Sequence, residues 1–177
     1  MKSLLAALAF LVLSLPAMAA DPIHSIPIQT LDGEKDALKP LRGKALLIVN
    51  VASQCGYTGQ YDGLQKLQDA FAADGLAVIG VPCNDFGGQE PGGADEIKEC
   101  ARGYQASFPL TEKITIKGPG AHPLFQALTA PGTPGEGEVG WNFEKFVVGR
   151  DGAVLARFDS GTEPDDDALI AVVKKAL

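Results

Sequence analysis

Two apolar runs dominate the hydrophobic pattern, at residues 45–52 and 76–83. Runs of this length, apolar on both faces, predict central strands covered by helices on either side. Between them, residues 58–71 place Tyr61, Leu64, Leu67 and Phe71 on one side and Gln60, Lys66 and Asp69 on the other. That is an amphipathic helix, closed by Asp74-Gly75. Strand, helix and strand at this spacing make a βαβ unit with a right-handed crossover. Further helices are predicted at 94–104 and 122–129, with an irregular segment and a turn over 108–118. Residues 143–148 and 153–158 flank Gly149-Arg150-Asp151-Gly152, a hairpin turn pattern. A last helix is predicted over 165–177, acidic at its start with Lys174 and Lys175 near its end, which suits the helix dipole. Weak alternation of Ile23, Ile26 and Ile28 predicts a short edge strand over 23–29, and residues 130–140 read as a surface loop.

The N-terminal pattern is different. Lys2 precedes an apolar stretch over 4–15, and Pro16-Ala17-Met18-Ala19 ends it with an A-x-A cleavage pattern. Residues 1–19 therefore read as a cleavable signal peptide and residues 20–177 as one domain. The stretch is shorter than the roughly 20 residues a membrane span needs. With no cysteine after the cleavage pattern, a bacterial lipid anchor there is not expected. Removing 19 of 177 residues leaves 158, and losing Lys2 takes the formal charge from -7 to -8. The expected location is periplasmic or secreted. The acidic balance, with no Lys/Arg cluster, argues against a nucleic-acid partner.

Export to an oxidising compartment sharpens the cysteine reading. Cys55, Cys83 and Cys100 are odd in number, so a fully paired intramolecular framework is excluded. One thiol is free, or a pair cycles. Cys55 follows the first strand, at or just before the next helix. Backbone N–H groups there lack intrahelical partners and the dipole is positive, which favours a thiolate. Cys55 reads as a nucleophile, against the alternative of a small buried packing residue. No cysteine pair has zinc-knuckle spacing and the histidines are only His24 and His122, so neither a zinc site nor a metal cofactor is expected. A Cys-His hydrolase using His122 stays open on sequence alone. The glycine-rich loop of 84–93 follows the second strand, on the sheet edge where ligand groups gather in open α/β folds.

Three motifs in register then carry a resemblance. Asn50-Val-Ala-Ser-Gln-Cys-Gly-Tyr-Thr58 resembles the active-site motif of glutathione peroxidases. Val81-Pro-Cys-Asn-Asp-Phe-Gly-Gly-Gln-Glu-Pro-Gly92 and Trp141-Asn142-Phe143-Glu144-Lys145-Phe146 resemble that family's second and third motifs. The similarity spans about residues 28–177. It implies an α/β thioredoxin-like fold, a central mixed β-sheet flanked by helices, and a thiol peroxidase activity without a bound cofactor. It places Cys55 at the peroxidatic position, with Gln89, Trp141 and Asn142 as the other members of a catalytic tetrad. Amide and indole N–H groups are neutral donors suited to an attacking thiolate and to charge developing on peroxide oxygen. The region of Ile97-Lys98-Glu99-Cys100 resembles the segment that carries a resolving cysteine, which assigns that role to Cys100. Its helix is then expected to shift or partly unwind, with Gly92, Gly93 and Gly103 as bending points, because a disulfide needs Cα atoms within about 7 Å. Substrates would be hydrogen peroxide and organic or lipid hydroperoxides. The reductant would be a thioredoxin-like protein rather than glutathione, for an exported chain a dedicated exported donor. Cys83 reads as structural, with a role as alternative partner of Cys55 left open.

Two departures from the family pattern matter. Asp85 stands where relatives often have glutamine. The loop of 131–140 is short and lacks the assembly segment of tetrameric animal members, which points to a monomer with an open site. Rival readings are a thiol–disulfide oxidoreductase of the same fold, a peroxide sensor and an inert binding module. The first normally needs C-x-x-C, and here Thr58 occupies the second cysteine's place.

Overall fold

A computed structural model describes residues 23–177. The signal-peptide reading of residues 1–19 lies outside the described residues. Strand β1 (Ala45–Val51) is followed by helix α1 (Gln60–Phe71) and strand β2 (Leu76–Pro82). Helices α2 (Ala94–Gly103) and α3 (Pro123–Leu128) come next, then β3 (Lys145–Val148), β4 (Val154–Phe158) and α4 (Asp167–Ala176). The sheet order is β2-β1-β3-β4. β1 and β2 are parallel; β1 with β3, and β3 with β4, are antiparallel. This is the mixed sheet expected from the βαβ unit and the C-terminal hairpin.

Every residue of β1 and β2 is buried, and strand alternation sorts their side chains into two cores. Ala45, Leu47, Val49, Val51, Leu76 and Val78 face the layer of α1 and α4, where Tyr61, Leu64, Leu169 and Val173 pack. Leu46, Ile48, Ala77, Ile79, Val81 and Cys83 face the opposite layer, with Leu124, Phe125 and Leu128 of α3. Cys55 and Cys100 belong to the first layer and Cys83 to the second.

Two expectations fail. Residues 23–29 form no strand: residues 23–25 are a turn, and the segment's pairing reduces to an isolated bridge between Thr30 and Thr111. Pro27, with no N–H to donate, interrupts any ladder there. Gln60 does not face solvent. It is 4% exposed, and its amide donates to Ser160 O at 2.9 Å, because the start of α1 tucks under the 160–163 turn.

Candidate active site

The site is built where three loops leave the carboxyl edge of β1 and β2 and the entry to β3. After β1 the chain does not enter α1 directly. From Cys55 to Asp62 it runs through successive tight turns: Thr58 N–H donates to Cys55 O, Gln60 N–H to Tyr57 O and Tyr61 N–H to Thr58 O. Cys55 thus lies five positions before the first residue of α1. The sequence expectation of a cysteine at or just before the helix start is therefore not met. Tyr57 N–H points at Cys55 Sγ, 3.5 Å away. Thr58 pins the turn: its Oγ1 accepts the Cys55 N–H at 3.1 Å and faces the carbonyls of Ala52 and Cys55 at 2.9 and 2.7 Å. Cys55 is 9% exposed, at the edge of the core rather than deep within it.

The loop after β2 turns sharply at Gly87 and Gly88, both left-handed with φ of +63° and +65°, a conformation glycine adopts without steric cost. This turn folds Gln89 back so that its carbonyl accepts the Gln54 N–H at 3.0 Å. Gln89 is thereby tied to the residue adjacent to Cys55. Asp85 fixes the loop from behind, one carboxylate oxygen accepting the Ile116 and Lys117 N–H groups at 2.6 and 3.2 Å.

The third loop is held by Asn50, a buried polar residue inside an otherwise apolar strand. Its Nδ2 donates to Trp141 O at 2.9 Å and its Oδ1 accepts the Glu144 N–H at 2.9 Å, while its carbonyl accepts the Phe143 N–H at 2.6 Å. Phe143 has φ of +63°, a conformation that costs a non-glycine residue of order 1 kcal/mol or more. The kink delays β3 to Lys145, two residues later than the sequence suggested, and turns Asn142 and Phe143 inward. Asn142 Nδ2 then donates to Gln89 Oε1 at 2.9 Å. With its oxygen occupied, Gln89 keeps its own amide protons for another acceptor. Trp141 is 40% exposed, and its ring lies 5.8 Å from that of Phe86. An exposed tryptophan held by its backbone is available for contact; one serving only as packing would be buried.

The structure thus bonds Gln89 to the loop that carries Cys55 and Asn142 to Gln89, with the Trp141 ring beside Phe86 of the same loop as Gln89. Cys100, on α2, is half-buried in the same layer, its Sγ 3.9 Å from Ser53 O, two residues before Cys55. All three cysteines are free thiols. Cys83 is fully buried on the other side of the sheet, and burial pushes its thiol up to about 12. His122 caps α3, its Nδ1 accepting the Leu124 N–H at 3.2 Å, so the Cys-His reading has no support. Among the described residues no cluster of His, Cys, Asp or Glu could hold a metal ion. Sequence reasoning missed Asn50 and Thr58 as site-building residues, although both lie within the first motif. The signal was present in Asn50, a lone polar residue in a buried strand.

A mixed sheet in this order, with a cysteine turn after its central parallel strand and the Gln89 loop bonded to it, defines a thiol-dependent oxidoreductase of thioredoxin-like fold. The glutathione peroxidase family profile matches residues 23–129. The chain is 48% identical over 169 residues to the hydroperoxy fatty acid reductase gpx1 of Synechocystis sp., covering 91% of this chain and 99% of that protein. It is 40% identical over 179 residues to the thioredoxin/glutathione peroxidase BtuE of Escherichia coli, covering 89% and 98%. The crystal structure of T. cruzi GPX1 superposes with a TM-score of 0.66 at 32% identity, covering 88% of this chain and 94% of that one. The chain belongs to the glutathione peroxidase family and is a thiol peroxidase.

Proposed function

We propose that the chain reduces fatty-acid and other organic hydroperoxides, as well as hydrogen peroxide, with Cys55 as the peroxidatic thiol. The Cys55 thiolate attacks the nearer peroxide oxygen. The O–O bond breaks, the leaving alkoxide takes a proton, and the products are a Cys55 sulfenic acid and an alcohol. Gln89 and Trp141 supply N–H donors to the oxygen that gathers charge, and Asn142 holds the Gln89 amide in position. The observation that carries this reading is the chain of bonds from Gln54 to Gln89 to Asn142, which ties the three motifs to the cysteine turn.

The Cys100 thiol then condenses with the sulfenic acid, releasing water and leaving a Cys55–Cys100 disulfide. A thioredoxin-like dithiol returns it to two thiols. The placement of Cys100 Sγ against Ser53 supports this pairing. The names of the relatives from Synechocystis and Escherichia coli support the substrate and reductant classes. A bend of α2 at Gly92, Gly93 or Gly103 brings the sulfurs into bonding distance. Residues 1–19 are a cleaved signal peptide, and the mature domain of 20–177 works as a periplasmic or secreted monomer. The test is steady-state peroxide consumption with thioredoxin by wild type, Cys55→Ser and Cys100→Ser. Cys55→Ser is expected to be inactive and Cys100→Ser to lose turnover while still reacting once. Full turnover by Cys100→Ser would remove the resolving role.

A further inference from the structure

Beneath the cysteine turn lies a buried polar cluster that the peroxide step does not use. Glu90, next to Gln89, is 1% exposed. Burial pushes its carboxyl pKa up, against the pull of the neighbouring Ser53 and of Lys113. The other titratable groups facing this spot are Tyr61 from α1 and Cys100 from α2. Tyr61 is fully buried and senses both the Glu90 and the Cys100 charge. Lys113 does not cap the carboxylate; its Nζ donates to the carbonyls of Glu90 and Gly92 at 3.0 and 2.7 Å. Ser53 stands between acid and thiol, its side beside Glu90 and its carbonyl 3.9 Å from Cys100 Sγ. Ser53 Oγ, Glu90 Oε2 and Tyr61 Oη are buried without a hydrogen-bond partner among the described residues. One orphaned polar atom is costly, and three in one buried cluster call for a reason.

We propose that Glu90 is the base of the resolving step, taking the Cys100 proton directly or through the Ser53 hydroxyl. The Cys100 S–H bond breaks and its proton passes to the carboxylate. The freed electron pair forms the S–S bond to Cys55, the Cys55 S–O bond breaks, and hydroxide leaves. Glu90 returns the proton to that hydroxide, giving water and a restored carboxylate. The Cys55 sulfur is reduced from the sulfenic to the disulfide level, and the Cys100 sulfur is oxidised by the same amount. A carboxylate in dry surroundings is a stronger base than one in water, which suits it to a thiol proton.

This rests on the assignment of Cys100, and the experiment separates the two. Trp141 is the sole tryptophan and reports on the site by fluorescence. Stopped-flow mixing of the full chain with excess hydroperoxide gives a first phase that depends on peroxide concentration and a second that does not. In Glu90→Gln the first phase is expected to be unchanged and the second to slow by on the order of 10- to 100-fold. The second-phase rate of that variant should also keep rising with pH where wild type has levelled off. Matching second phases and pH profiles in the two proteins would overturn the proposal, as would equal slowing of both phases. Should Glu90→Gln fail to fold, wild type decides alone: a second phase that follows an ordinary thiol ionisation, near ~8.5, overturns it. Absence of a Cys55–Cys100 disulfide from wild type by mass spectrometry overturns the Cys100 assignment itself. The disulfide present with Glu90 immaterial overturns only this step.

Discussion

A single hydrogen bond, Asn142 Nδ2 to Gln89 Oε1, decides how the site presents its donors. It fixes which end of the Gln89 amide faces outward. Asn142→Ala is therefore expected to slow the first-order reaction of Cys55 with limiting peroxide by roughly 100-fold, the usual loss when an oriented donor is released. Its unfolding free energy should fall by only about 1 kcal/mol, one buried hydrogen bond; stopped flow and urea titration check the two parts. Cys83 behaves oppositely. Its thiol is buried on the far side of the sheet and pushed up to about 12. Cys83→Ala is expected to leave peroxide turnover and the Cys55–Cys100 disulfide yield unchanged, at a cost of about 1 kcal/mol for the small cavity. The far-side position was already implicit in the sequence: Cys83 keeps the parity of Ala77, Ile79 and Val81, all in the second core. The partners of Asn50 were not implicit, since they lie some ninety residues away.

The elements show what periodicity can and cannot reveal. The buried pair β1 and β2, the amphipathic α1 and the hairpin of β3 and β4 follow directly from local pattern. The start of β3 does not, because Phe143 adopts a left-handed backbone that no propensity favours; its bond to Asn50, its edge contact with Tyr61 and its burial in the first core hold it there. The stretch of 23–29 shows alternating isoleucines yet forms no strand, because Pro27 interrupts the ladder. At Gly80 in β2, an added Cβ would sit 2.5 Å from Leu110 Cδ2 and 3.2 Å from Phe108 Cε2. Gly80→Ala should destabilise the fold by about 1–3 kcal/mol in chemical denaturation, an overpacking cost. Lys145, the first residue of β3, is buried and donates to Ser160 O. Burial lowers its pKa to about 8, against the opposing pull of Glu163, Glu144 and Asp159. The unfolded chain holds this proton up to about 10.4, so between the two values unfolding takes up a proton and stability rises with pH. Relative to Lys145→Met, wild type is expected to gain stability between pH 8 and about 10 and to show no such gain from pH 6 to 7.5. Paired denaturation curves across both intervals test this.

At the scale of the whole molecule, two layers of core grip a sheet with Cys55 and Gln89 in loops beyond the carboxyl ends of β1 and β2, Trp141 and Asn142 at the entry to β3, and Cys100 on α2. Sequence grouped Cys55, Gln89, Trp141 and Asn142 through the family resemblance of three motifs; the structure adds the bonds of Gln54 to Gln89, Gln89 to Asn142 and Asn50 to Trp141 that link those motifs. Trp141 and Tyr57 are half-exposed, while Cys55 and Asn142 are buried. The proposed monomer is checked by light scattering of the mature 20–177 chain: a mass of one chain is expected, and a dimer or tetramer mass would contradict it. The most direct test of the central claim is chemical. Cys100→Ser protein is treated with one equivalent of a fatty-acid hydroperoxide in the presence of a sulfenic-acid trap and mapped by mass spectrometry. The expected result is a single adduct on Cys55, lost in Gln89→Ala at the same exposure time. An adduct on Cys83, or none on Cys55 while peroxide is consumed, would contradict it.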